Sequence, residues 1–99
     1  MAWTEFFTSK MLGGKTVIDP TGRAYFSLEI APRDYVEVHM TYTPNELPFK
    51  IVFKSFDSIG GILEEREYGQ AGTKELAHKV ALETANLRLN SREFVLDGE

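Results

Sequence analysis

Residues 60–89 read GGILEEREYGQAGTKELAHKVALETANLRL. They hold a short strand, a glycine-marked turn and one long amphipathic helix, and they set what the rest of the chain must supply. Gly69 and Gly72 bracket the expected turn, and Thr73 stands where a hydroxyl accepts from the first orphan N–H groups of a helix. From Lys74 onward, Leu76, Ala77, Val80, Ala81, Thr84, Ala85 and Leu87 recur at the i, i+3, i+4, i+7 spacing of one buried face. Lys74, Glu75, His78, Lys79, Glu83 and Asn86 take the other side. Glu75 precedes Lys79 by one helical turn, a pairing that contributes ~0.2–0.5 kcal/mol. Ala77, Ala81 and Ala85 make a flat stripe suited to close packing on a sheet, and Asn90 is the expected stop. A lone helix of this length is marginal in water, so it requires an apolar partner surface.

The upstream chain offers that surface as strands. Residues 15–19 form a short strand, closed by the turn Asp19-Pro20-Thr21-Gly22, in which Pro presets φ and Gly accepts a positive one. Residues 23–31 alternate with Ala24, Phe26, Leu28 and Ile30 on one side and Arg23, Tyr25, Ser27 and Glu29 on the other. After the break at Pro32-Arg33-Asp34, residues 35–43 alternate again, Val36, Val38, Met40 and Tyr42 against Tyr35, Glu37, His39 and Thr41. A rigid loop over residues 44–48 leads into residues 49–56, with Phe49, Ile51 and Phe53 opposite Lys50, Val52 and Lys54. Asp57-Ser58 turns the chain into a fifth strand over residues 62–68, acidic enough to lie at an edge or to be exposed on one face, which also discourages aggregation. Residues 3–12 read as a short N-terminal helix stopped by Gly13-Gly14, with a strand through Phe6 and Phe7 as the competitor. Residues 91–96 read as a last strand or a packing tail.

The expected fold is therefore α+β. An antiparallel sheet of about five strands, two hairpins plus one, packs under one long C-terminal helix, with a short N-terminal helix. The chain's 99 residues make one domain with one small core. A 42% hydrophobic and 26% charged composition is that of a globular chain rather than a disordered one. The absence of cysteine excludes disulfides and thiolate zinc sites. No run reaches the ~18 apolar residues of a membrane span. The N-terminal stretch lacks the basic region of a signal peptide, so the expected location is cytoplasmic. A net charge of −4 argues against binding to a phosphate backbone unless charge is segregated by face.

Catalytic motifs are missing. His39 and His78 lie on different elements without a third ligand, so neither a metal nor a cofactor is expected, and no catalytic residue is nominated. Gly69 to Thr73 fits no phosphate-loop spacing, and a turn with a cap explains it. Tyr25, Tyr35 and Phe56 share the side opposite Phe26, Val38 and Ile51. There they either stack on bases or form a second small cluster covered by Trp3, Phe6 and Phe7. Glu64, Glu65 and Glu67 are read as an acidic docking face for a protein with a basic surface, since complementary charge speeds and orients association.

Residues 35–87 resemble the later part of a double-stranded RNA-binding domain. The residues that carry the likeness are Pro44, Phe49, Gly69, Gly72 and the helix opening Thr73-Lys74-Glu75-Leu76-Ala77-His78-Lys79, followed by Ala81 and Ala85. Glu75 and His78 stand where that family has basic residues, and a hairpin rather than a helix precedes Tyr35. The resemblance implies RNA contact through Lys74 and Lys79, extended by Lys50 and Lys54.

The leading expectation is a small acidic protein-binding module, a regulator or inhibitor rather than an enzyme. RNA binding is the alternative, and homodimerisation through an edge strand is open.

Overall fold

The computed structural model describes residues 2–41 and 46–89. In order these form α1 (Trp3–Lys10), β1 (Gly14–Ile18), β2 (Ala24–Ala31), β3 (Asp34–Met40), β4 (Phe49–Phe56), β5 (Ile62–Ala71) and α2 (Lys74–Leu89). The five strands make one antiparallel sheet in the order β1-β2-β3-β4-β5, each strand beside its chain neighbour. The fold is α+β, as the alternating strands and the amphipathic helix require. The expected loop at Pro44 and Asn45, the inward Tyr42, the stop at Asn90 and the last segment over 91–96 fall outside the described residues.

Register explains why one sheet face becomes the core. Phe26 pairs with Val38, Val38 with Ile51, Leu28 with Val36 and Val36 with Phe53, so the apolar side chains of three strands line up on one side. All six are essentially sealed from solvent. Ala77, Ala81 and Ala85 lie on this surface with no exposure, the flat stripe that brings α2 close to the sheet.

Three expectations are corrected. First, α1 does not cover Tyr25, Tyr35 and Phe56. Phe7 is buried 5.6 Å from the Phe26 ring and 6.1 Å from the Phe49 ring, so α1 sits beside α2 on the same face. Each aromatic contact of this kind adds ~0.5–1.5 kcal/mol beyond simple burial, and the Phe26–Phe49 surface is where Phe7 finds them. Second, α2 is turned from its expected orientation. His78 is buried, with its ring 6.1 Å from Phe6 and 6.3 Å from Phe7, while Leu76 and Leu87 are exposed. The wall provided by α1 draws the His78 side inward, which periodicity along α2 alone does not register.

Third, Gly69 is not in a turn. β5 continues to Ala71, and Gly69 pairs with Ile51. A Cβ at Gly69 would stand 3.2 Å from Val80 Cγ1, so this glycine lets α2 approach the sheet. The connection shrinks to Gly72 and Thr73, and Thr73 Oγ1 accepts from the Leu76 N–H at 3.1 Å, the expected cap.

Candidate functional site

Packing both helices on one side leaves the opposite sheet face uncovered among the described residues. Its side chains are those that the alternation put opposite the core. From β2 and β3 they include Tyr25, Ser27, Tyr35, Glu37 and His39; from β4 and β5 they include Lys50, Val52, Lys54, Glu65 and Glu67. Their arrangement is ordered rather than merely solvated. Glu37 is only 4% exposed at its centre. Its Oε1 accepts from His39 Nε2 at 2.8 Å and pairs with Lys54 Nζ at 3.3 Å. Lys54 also reaches Glu65 Oε2 at 3.3 Å. A carboxylate this buried needs such partners, because desolvation of an unpaired charge is costly.

These contacts set the protonation behaviour of the face. Burial pushes the Lys54 ammonium down, but the carboxylates of Glu37 and Glu65 outweigh it and hold its pKa above 10.5. Burial, reinforced by the Glu37 charge, raises the Tyr25 phenol, whose ring stacks on His39 with centroids 4.5 Å apart. Tyr35 is raised chiefly by its 3.0 Å hydrogen bond to Glu29 Oε2.

The three acidic residues singled out from the sequence do not act as one unit. Glu64 pairs across to Ser55 and reaches Arg88 of α2, on the helix side of the sheet. Glu65 and Glu67 pair with Lys54 and Val52 on the open side. Glu65 is engaged by Lys54, and Glu67 accepts a 3.3 Å bond from Gln70 Nε2. Nor do the four lysines gather. Lys50 and Lys54 lie on the open face, whereas Lys79 is on α2 and Lys74 stands 5.4 Å above the Phe6 ring on the helix layer.

No family model, curated protein or solved structure matches the chain. Function must therefore be read from the surface itself. Among the described residues no group of three or more His, Cys, Asp or Glu is placed to hold a metal ion, and no helix is long and apolar enough to cross a membrane.

Sequence reasoning missed the tip of the β4–β5 hairpin. Ile59 is 91% exposed, and Ile62 and Leu63 are 59% and 68% exposed. Asp57 shapes the tip by accepting from the amides of Ile59 and Gly61 at 3.0 and 2.8 Å. That closes the turn through a side chain and leaves Ile59 projecting. The signal was present: an isoleucine between Ser58 and Gly60 sits in a turn and has no strand face to hide on.

Proposed function

We propose that the chain is a small protein-binding module, a regulator or inhibitor, that engages its partner along β5 and the tip of the β4–β5 hairpin. The observation that carries this reading is the exposure of three large apolar side chains at one end of the β4–β5 hairpin, Ile59, Ile62 and Leu63, on the chain segment that continues to the exposed Glu65 and Glu67. Exposed apolar residues rimmed by charge are the composition of a protein interface. A complementary partner presents an apolar pocket flanked by Lys or Arg. β5 ends the sheet, and among the described residues no strand lies outside it, so its backbone can also pair with a partner's strand or with a second copy.

Glu65 and Glu67 serve orientation and on-rate in this reading, while Leu63 and Ile62 provide the buried contact. Glu64 has a smaller part, because Arg88 already holds it. The competing reading is double-stranded RNA binding through Lys74 and Lys79, with Lys50 and Lys54 on the far side of the sheet. It demands affinity that falls steeply with salt.

The test is affinity capture from RNase-treated lysate, followed by titration of the purified partner with variants. Leu63→Ser is expected to weaken binding at least about tenfold, the 1.4 kcal/mol scale of one interface contact. The double reversal Glu65→Lys and Glu67→Lys is expected mainly to slow association. Unchanged affinity in Leu63→Ser removes the hairpin-tip interface. Capture that vanishes with RNase, and with Lys74→Ala and Lys79→Ala, moves the function to RNA.

A further inference from the structure

The open face carries a shallow groove that runs over β2 and β3 from β1 to the β4–β5 loop. Its volume is about 550 Å³, within the ~300–1,000 Å³ range of small-ligand sites. Ser27 and Glu37 are cross-strand partners, both buried, and form its floor. Tyr25 and Tyr35 stand on either side of that pair, each two residues from it on its own strand. At ~3.3 Å per residue this separates them by roughly 13 Å along the sheet. The Tyr35 ring meets Phe56 edge-on, with centroids 5.8 Å apart, and stiffens that wall. Lys15 and Arg33 are on the rim.

The charges select the occupant. Glu37 already pairs with Lys54 and is hydrogen-bonded to His39, so it does not call for a further cation, but its carboxylate remains an acceptor for N–H donors. The rim carboxylate of Asp57 is turned to the amides of its own loop. Lys15 and Arg33 have no ion-pair partner among the described residues, so the rim offers two cations to an anion although the chain is acidic. A fitting ligand has a flat ring system, N–H donors on one edge and an anionic group beyond it. We infer that this groove binds a purine mononucleotide, with guanine preferred. The donor edge of the base meets Glu37, the ring lies against Tyr25 or Tyr35, and the phosphate sits between Lys15 and Arg33.

Guanine is selected because its Watson–Crick edge offers two adjacent donors to a carboxylate, whereas adenine offers one donor beside an acceptor. A single nucleotide is selected over a nucleic-acid strand because Glu65 and Glu67 lie on the same face beyond the groove and repel a continuing phosphate backbone. The groove borders the hairpin tip at Asp57, Ser58 and Gly60, so variants tell the two sites apart: Leu63→Ser is expected to leave GMP binding unchanged, and Lys15→Ala to leave partner binding unchanged.

The experiment is an amide NMR titration of the whole chain with GMP, AMP, guanosine and inorganic phosphate. GMP is expected to shift Ser27, Tyr35 and Glu37 and to bind more tightly than AMP. Lys15→Ala and Arg33→Gly should each weaken GMP about tenfold and leave guanosine nearly unchanged. Arg33 has φ 68°, which glycine adopts freely, so that variant keeps the turn. Glu37→Gln should abolish the preference for GMP over AMP. The inference is overturned by no shifts at millimolar GMP or by inorganic phosphate binding as tightly as GMP. It is also overturned by a single-stranded RNA that binds more tightly than GMP, with shifts running on through Lys50 and Lys54.

Discussion

Arg88, in the last turn of α2, places Nη2 2.9 Å from Glu64 Oε1 of β5. The same guanidinium donates through Nη1 to the Tyr68 hydroxyl at 3.1 Å and lies 4.2 Å from the centre of the Phe53 ring. One side chain thus ties the helix end to two strands by charge, hydrogen bonding and stacking. It also withdraws Glu64 from the acidic edge.

Arg88→Ala is expected to destabilise the domain by about 1–2 kcal/mol, because stacking and packing of the side-chain stem are lost with the charge. Glu64→Gln should cost less, about 0–1 kcal/mol, as a solvent-screened pair does. Urea unfolding of the two single variants and the double variant separates these contributions. Equal losses in the two single variants would mean that the ion pair alone matters.

Phe7→Ala is expected to cost about 3–5 kcal/mol, the range for removing a fully buried phenylalanine. That is a large share of the ~5–15 kcal/mol stability of a small domain. The loss reflects the anchor of α1 between Phe26 and Phe49. Phe56→Ala, on the half-buried open side, should cost clearly less in the same denaturation experiment.

Gly14→Ala should destabilise by about 1–3 kcal/mol or more. A Cβ there would clash with the distal edge of the Phe26 ring, which is sealed in the core. Gly69→Ala should cost less, since its Cβ meets only the Val80 methyl at 3.2 Å. Thermal melts of the two variants test that order.

Asp19 titrates below its ordinary value of 3.8, first because the Thr21 hydroxyl donates to Oδ1 and then because the Arg23 and Thr21 amides do. A carboxyl depressed in the folded state contributes stability that is present above its unfolded value and lost as pH falls through its folded value. The β1–β2 turn should therefore loosen only in acid, below about pH 4. Thr21→Ala should move the Asp19 midpoint upward in an NMR titration; an unmoved midpoint would show that the amides alone hold it. Lys54 has the opposite sign. Its pKa is raised above 10.5, so its contribution persists below that value and is lost only as pH rises through the folded one.

Much of this architecture is legible residue by residue. The alternation in β2, β3 and β4 assigns each side chain to a face, because successive strand residues point to opposite sides and a slip would bury Glu37's neighbours while exposing Phe26 and Ile51. The Asp19–Gly22 turn and the Thr73 cap follow from local hydrogen bonds within a few residues. The acidity of β5 allows either an edge or one exposed face, and the strand order places it at the edge. The candidate sites were less legible. Ile59 could be suspected from its neighbours, but the pairing of Glu64 with Arg88, 24 residues away, could not.

Three matters belong to the tertiary structure alone. Which sheet face receives α1 depends on where Phe7 finds other aromatic rings, and those rings lie on β2 and β4. The rotation that buries His78 and exposes Leu76 depends on α1 standing beside α2. The groove over Ser27 and Glu37 exists because both helices chose the other side. Hydrophobic periodicity specifies which residues seek cover, since it is a property of one segment. It does not specify what covers them, because that energy is shared between surfaces distant in the chain.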